Sequence, residues 1–438
     1  MRAKPARATT TTLRTPNGGL ATRTASSRRF RDDPYVDGPR ILFIGLGEST
    51  HTHAWIDLLN AAPVNVRLFA LPSGLPPHDW PVRTYVTATT DAHLEPAMRV
   101  RLYAADRARR YPKKGYARFL LRGPSLEERW LAQVIREWCP DIIHTLGLDP
   151  AGVFYHRVRR AFSLETIGKW VLQTRGGSDL ALTRFDPDRA PALAAVMRDC
   201  DQLLSDNEQN FTIARDLGVR PEQIASIGVV PGTGGIDVDH LASAADGAPS
   251  SRRIIVWPKA YDCPWSKSLP VLEALTSCWD RIAPCEVHML AMQPETRMWF
   301  HALPAHIKAA CRIDERVPRR ELLTLMGRAR VMLAPSLVDG TPNSLFEAMA
   351  TGAFPIVSPL ETIRPIVRDG ENVLFARNLY PNEIADALVR AMCDDALVDN
   401  AGRVNRDAVR RLADRSSIGP RVVKWYETLT AGARRGPP

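Results

Sequence analysis

Residues 334–359 read APSLVDGTPNSLFEAMATGAFPIVSP. An apolar run ends at Ala334, a polar turn follows through Asp339, Gly340, Thr341, Pro342 and Asn343, and apolar residues then recur at helical spacing over Ser344 to Ala350. Gly352 stops the helix, and Pro355 to Val357 resumes as a strand. Strand, tight turn, helix and strand in that order make one unit of a parallel α/β sheet. The turn sets backbone N–H groups at the start of the helix, where they and the helix dipole form a natural anion site. Ser344 can cap the helix or bind there. Glu347, in the first turns, can accept two hydrogen bonds from a vicinal diol such as a ribose.

The same alternation extends outward in both directions. From Arg40 onward, strands are expected at Ile41 to Gly45, Val66 to Ala70, Ile142 to Leu146, Val171 to Thr174, Leu203 to Ser205 and Ile227 to Val230, with helices at His53 to Ala62 and Leu126 to Trp138. The stretch Ala245 to Arg252, ADGAPSSR, has no periodicity and marks a boundary. Beyond it come strands at Ile254 to Trp257, Glu286 to Leu290, Val331 to Ala334, Pro355 to Val357 and Val373 to Phe375. Helices fall at Leu269 to Ile282, Arg320 to Gly327, Ser344 to Ala350 and Glu383 to Cys393. Near-continuous apolar strands suit parallel sheets covered on both faces. The expected architecture is α/β, with two Rossmann-like parallel-sheet domains facing a cleft, the usual place for a ligand. The expected divisions are a disordered basic tail over 1–38, an N-terminal domain over 39–245 and a C-terminal domain with terminal helices over 246–438.

Composition narrows the class. The chain has 438 residues, 45% hydrophobic and 24% charged, which excludes a wholly disordered, collagen-like or disulfide-scaffold protein. No uninterrupted apolar run reaches the roughly 18 residues needed to span a bilayer. The net charge of +10 is concentrated in two segments, since residues 1–31 hold eight basic side chains and no acid, and 99–122 hold nine against Asp106. The remainder is net acidic. The second segment interleaves Tyr103, Tyr111, Tyr116 and Phe119 with its cations, a composition suited to a solvated face, to an anionic acceptor or to an anionic lipid surface. No nucleic-acid-binding motif accompanies it. Seven scattered cysteines without CxxC or zinc-ligand spacing favour reduced thiols and a cytoplasmic compartment. The N-terminal tail is Arg-rich like a transit peptide but has no apolar core and carries Pro5, Pro16, Gly18 and Gly19.

The segment from Ala334 to Pro359 resembles the donor-binding signature of the retaining glycosyltransferases of family 4, which have the GT-B fold. That family carries two acids separated by seven residues, followed by Ala-Met-Ala and a Gly; here these are Asp339, Glu347, Ala348, Met349, Ala350 and Gly352. The first acid is Asp where the family more often has Glu. IRPIVRDGEN, Ile363 to Asn372, is similar to the family's next motif. The resemblance implies Lys259 at the family's Arg position and Lys267 at its Lys position, both on a diphosphate, with the insert Ala260 to Ser266 between them. It further implies Glu347 on a ribose, Asp339 on the sugar ring, and the turn Gly340, Thr341, Pro342, Asn343 and Ser344 on phosphate or sugar. In the N-terminal half, the strand and loop carrying Gly45, Gly47, Ser49 and His51 resemble the family's first loop, and QTRGGSDL, with Arg175 and Asp179, resembles its "HGSD" loop, Gly176 standing in place of the His. GTGGID, Gly232 to Asp237, resembles a turn before the linker.

What the resemblance implies is transfer of a sugar from a nucleoside diphosphate sugar, as donor substrate, with retained anomeric configuration and neither cofactor nor metal. The acceptor would be a glycan, a lipid-linked molecule or a small molecule, and the expected location is cytoplasmic, with peripheral contact at the inner membrane face through Arg99 to Arg122. Two other readings stay open: a nucleotide-sugar 2-epimerase on the same fold, and a non-catalytic basic surface-binding protein. A dinucleotide loop at Gly45 is disfavoured because Thr50 stands where a third Gly is needed and no acid follows the second strand. Asp186 and Asp188 form a DxD pair, but it follows Thr183, Arg184 and Phe185 and not an apolar strand end.

Overall fold

The computed structural model describes residues 32–72, 74–86, 100–102, 123–175, 177–315 and 317–431. Residues 1–31 of the basic tail, and all of the segment Arg99 to Arg122 but 100–102, lie outside the described residues, as do Gly176 and the side chain of Asp179.

The chain builds two parallel sheets. The first contains β1 (Arg40–Leu46), β2 (Asn65–Leu71), β3 (Arg83–Val86), β4 (Val100–Leu102), β5 (Ile142–Leu146), β6 (Lys169–Thr174), β7 (Gln202–Ser205) and β8 (Ile224–Val229), in the order β4-β3-β2-β1-β5-β6-β7-β8. The second contains β9 (Ile254–Trp257), β10 (Glu286–Leu290), β11 (Cys311–Asp314), β12 (Ala329–Ala334), β13 (Phe354–Val357) and β14 (Leu374–Phe375), in the order β11-β10-β9-β12-β13-β14. The central strands are predominantly apolar because helices cover both their faces: Ile41, Phe43, Ile142, Val171 and Leu204 lie on one side of the first sheet and Leu42, Ile44, Ile143 and Leu172 on the other, all with no exposed surface. The expected two-sheet α/β architecture holds, and the strand expectations fall on observed strands. Three strands are additional, β3, β4 and β11, each only three or four residues long and interrupted by charged residues such as Arg83, Arg101 and Arg312.

Sheet order fixes where a ligand can go. In each sheet the strand order reverses beside a central pair, β1 with β5 in the first and β9 with β12 in the second. Their carboxyl ends are the switch points at which a crevice opens.

The last helix crosses back over the expected division at residue 246. Arg415–Thr430 crosses back and buries Ile418, Val422, Trp425, Tyr426 and Leu429 against Ile41, Phe43 and Trp55 of the first core. The apolar positions recur at helical spacing, so the helix needs a partner surface, and the first sheet provides it. Arg415 fastens the crossing, donating to Thr233 O at 3.2 Å and to Ala54 O at 2.6 Å.

Beneath this helix the Tyr426 hydroxyl accepts from Trp55 Nε1 at 3.0 Å and lies 2.5 Å from His144 Nδ1. Burial, reinforced by Arg175, pushes His144 down to about 3, and burial pushes the Tyr426 phenol up. Both groups are therefore neutral at pH 7, and the phenol donates to the imidazole. Tyr426→Phe strands a buried indole N–H and a buried ring nitrogen, so it should cost about 1–3 kcal/mol with the fold retained. Urea unfolding monitored by tryptophan fluorescence measures this; an unchanged midpoint would show that the Tyr426 hydrogen bonds contribute nothing to stability.

Candidate functional site

The loops at the two switch points supply the site. Lys259 follows β9, and Asp339 follows β12, so adjacent central strands deliver a cation and a carboxylate to one place, where Lys259 Nζ pairs with Asp339 Oδ2. Burial pulls the Lys259 ammonium down, but the Asp339 charge overcomes it and holds the group above its ordinary value. A narrow cavity is lined by Lys259, Ser336, Asp339, Pro342, Ser344 and Leu345, among others.

The helix Asn343–Thr351 opens onto this cavity. It ends at Gly352 with φ 81°, and at its start Pro342 provides no side-chain cap. Ser344 Oγ is buried there with no hydrogen-bond partner among the described residues. The first N–H groups of a helix have no intrahelical acceptor, so cavity, hydroxyl and helix terminus together favour an anion. Two of the expected turn groups are committed elsewhere. Gly340 N donates to Asp339 Oδ1 at 3.0 Å, Thr341 N donates to Asp206 Oδ2 at 3.3 Å, and Pro342 has no N–H. The N–H groups left for a ligand are those of Asn343 and Ser344.

The other expected cation is arranged differently. Lys267 Nζ pairs with Asp262 Oδ1 at 2.8 Å, and the other Asp262 oxygen accepts from Ser268 N at 3.2 Å. The insert between the lysines thus carries its own counterion. Asn378 fixes the Lys267 backbone, accepting from its N–H at 2.8 Å and donating to its carbonyl at 3.0 Å. Lys267 does not line the cavity that holds Lys259. Glu347 is only 2% exposed and lies 2.6 Å, Oε1 to Nη2, from Arg319, which is itself half-exposed. The orientation makes this a charge contact and not a directed hydrogen bond.

The first sheet's loops close the site from the opposite side. Gly340 packs so tightly on this wall that a Cβ there would stand 2.0 Å from the Arg175 carbonyl oxygen. Asn343 Nδ2 donates to Thr233 Oγ1 at 3.2 Å and lies 3.4 Å from His51 Nδ1. His51 keeps an exposed edge, but loss of water, then Arg175, Arg319 and Lys259, push it down to about 4. Three cations thus act on one imidazole.

The remaining N-terminal candidates have framework roles. Gly45 packs against Leu146 and Thr52, and Gly47 against the Gly74 carbonyl and Ala70. Ser49 makes no side-chain cap, and its carbonyl accepts from His53 N at 3.1 Å. His53 Nε2 bonds the Gly47 carbonyl at 2.6 Å, in the interior. Asp186 Oδ1 accepts from Asp188 N at 3.0 Å, closing the turn before the helix Ala190–Asp199. Among the described residues no cluster of His, Cys, Asp and Glu could hold a metal ion, and no helix is long and apolar enough to cross a membrane. Sequence reading missed Arg319, Asp206 and Asp262. Asp206 had a signal, since it directly follows β7 at the carboxyl edge; Arg319 had none, because only tertiary packing brings it to Glu347.

A family model described as "Glycosyl transferases group 1" matches residues 267–394, the part of the second unit that holds Asp339 and Glu347. The phosphatidyl-myo-inositol mannosyltransferase of Mycobacterium tuberculosis is 27% identical over 210 residues, 46% of this chain and 54% of that protein. The Mycobacterium leprae protein of the same name is 28% identical over 206 residues, again 46% and 54%. The matched region spans about half the length of these curated relatives. Among solved structures, Anabaena HepE in complex with UDP and glucose superposes with a TM-score of 0.65 at 13% identity, covering 89% of this chain and all of that one. Sucrose-phosphate synthase from Thermosynechococcus elongatus gives 0.62 at 16% identity, covering 90% and 99%. The fold is GT-B. Neither the epimerase nor the surface-binding reading gains support from these relatives.

His51 offers a direct test of the cleft's charge. In the protein alone it should titrate near pH 4. Adding a nucleoside diphosphate should raise that value, because the phosphate charge offsets Arg175, Arg319 and Lys259 and so favours the imidazolium. Histidine NMR measures both numbers; a value near 6.5, unmoved by nucleotide, would place the ring in bulk water.

Proposed function

We propose that the chain is a glycosyltransferase that moves a sugar from a nucleoside diphosphate sugar to a hydroxyl acceptor with retained configuration and without a metal. The observation that carries the reading is the convergence, at the second sheet's switch point, of Lys259, Asp339, Ser344 Oγ and the uncapped helix terminus in one cavity. The group 1 glycosyltransferase match over the same segment supports it.

The chemistry needs stabilisation of the charge that grows on the departing diphosphate. In this reading Lys259 exchanges Asp339 for a phosphate oxygen, and the N–H groups of Asn343 and Ser344 with the Ser344 hydroxyl bind the same group. Asp339, released, accepts hydrogen bonds from the donor sugar. Lys267 leaves Asp262 for the outer face of the diphosphate, and Glu347 accepts from the ribose. The C1–phosphate bond breaks as the acceptor oxygen bonds C1 on the same face, and the acceptor proton passes to the leaving phosphate oxygen. His51, neutral, and Arg175 line the acceptor side, and the close seam between the two sheets excludes water that would hydrolyse the donor. The acceptor is a glycan, a lipid-linked molecule or a small molecule. The basic segment Arg99 to Arg122 and the phosphatidyl-myo-inositol in the relatives' name support a lipid-linked one, met by peripheral contact at the inner membrane face.

Incubation with a panel of UDP- and GDP-sugars and candidate acceptors should release nucleoside diphosphate only when donor and acceptor are both present, and proton NMR of the product should show the donor's anomeric configuration. Lys259→Met should lower kcat about 10²- to 10³-fold with the fold retained, and EDTA should leave activity intact. Activity abolished by EDTA and restored by Mn²⁺, or an inverted product, would overturn the reading.

A further inference from the structure

Glu347 raises a physical problem that its neighbour answers. A carboxylate with 2% of its surface exposed has lost its water, and burying such a charge is tolerable only beside a partner. The partner is Arg319, at the start of the helix Arg319–Arg328, with Nη2 at 2.6 Å from Oε1. The pair is asymmetric: the Glu347 side chain is buried, whereas that of Arg319 is 46% exposed. Oε2 receives no hydrogen bond from any described residue. One oxygen thus faces a cation, while the other carries no hydrogen bond among the described residues.

Neither residue lines the cavity that holds Lys259 and Ser344, so the pair stands apart from the phosphate position proposed above. It still belongs to the same wall of the cleft, since Glu347 lies on the helix Asn343–Thr351, whose first turn lines that cavity. The guanidinium charge at this distance draws the Oε1 end of the carboxylate toward Arg319 without the alignment of a directed hydrogen bond.

We infer that Arg319 is a positioning residue for donor recognition: it fixes the Glu347 carboxylate so that the donor's ribose hydroxyls are recognised, and it makes no contribution of its own to holding the phosphates. The inference rests on the proposed role of Glu347 at the ribose. Discrimination between a ribonucleotide and its 2′-deoxy counterpart is then a joint property of two residues, one of which never touches the sugar.

The test is calorimetry with whichever of UDP, GDP and ADP binds best and with its 2′-deoxy counterpart. The wild-type protein should prefer the ribonucleotide by about 10-fold or more, the size of one hydrogen bond to a charged group. Arg319→Ala should reduce that preference towards unity by weakening the ribonucleotide while leaving the deoxynucleotide unchanged, and Arg319→Lys should restore part of it. Should Arg319→Ala not fold with Glu347 left unpaired, Arg319→Ala combined with Glu347→Gln removes the buried charge, and this double variant should show the same loss of preference as Glu347→Gln alone. No preference in the wild type would defeat the ribose role of Glu347 itself. A wild-type preference that survives in Arg319→Ala would defeat the inference and leave Glu347 standing. Equal weakening of both nucleotides would assign Arg319 to the phosphates, and tighter binding would make it an obstacle; either overturns the inference.

Discussion

The site depends on one close approach, that of the Gly340 backbone to the Arg175 carbonyl. No side chain fits between them, because a Cβ on Gly340 would lie 2.0 Å from that oxygen and 2.9 Å from Asp206 Oδ2. The contact brings the mouth of one sheet against the mouth of the other, and further bonds hold it there. Thr341 N donates to Asp206 Oδ2, and Asn343 Nδ2 donates to Thr233 Oγ1. The start of the helix Asn343–Thr351 is thereby delivered to the first sheet's loops, and His51 is brought within 3.4 Å of Asn343 Nδ2. Two switch points that topology alone would leave as separate crevices become one cleft walled by both units.

Much of this was legible in the sequence because the relevant signals are local. Apolar runs gave the buried strands, and Leu126–Trp138 and Leu269–Ile282 coincide with their expected bounds because helical periodicity and flanking Ser, Pro and Gly agree there. The turn from Asp339 to Asn343 could be read as a ligand loop because it sits between a strand and a helix, a relation set by chain order. What local signals could not give was commitment of polar groups across distance. The same turn that looked available to an anion spends Thr341 N on Asp206, 135 residues earlier. Lys267 likewise meets a counterion inside its own loop, although the resemblance implied a second cation for the diphosphate.

The terminal helix shows a different limit. Ile418, Val422, Trp425, Tyr426 and Leu429 recur at helical spacing, so an amphipathic helix was readable in principle. Which sheet it covers was not, since both present apolar faces and chain proximity favoured the second. The decision rests on polar complementarity inside the core, where the Tyr426 hydroxyl meets both Trp55 Nε1 and His144 Nδ1. The bridge between Ile236 and Asp414 fixes where the chain turns back, and Arg415 N donates to Ile236 O at 2.9 Å. The two units are thus tied twice, at the seam and along this helix, with the helix carrying the larger apolar contact.

The charges at the site follow a single rule. Lys259 faces Asp339, Lys267 faces Asp262, and Glu347 faces Arg319, so each group assigned to a ligand already has a partner of opposite sign within the chain. At the depth of Glu347 an isolated charge would be expensive to hold, and pairing offsets that cost. Under the proposed function, it also sets how a donor would bind. A diphosphate cannot simply settle on a bare ammonium; it competes with Asp339 for Lys259, and the free energy gained is the difference between two ion pairs. The carboxylate displaced in that exchange then needs donors, and the hydroxyls of a sugar attached to the diphosphate supply them at the same step. A ligand carrying phosphate without sugar leaves Asp339 uncompensated, and a sugar without phosphate leaves Lys259 where it was. The paired arrangement therefore favours the joined molecule over either fragment, a selectivity that a site of unpaired cations would not possess.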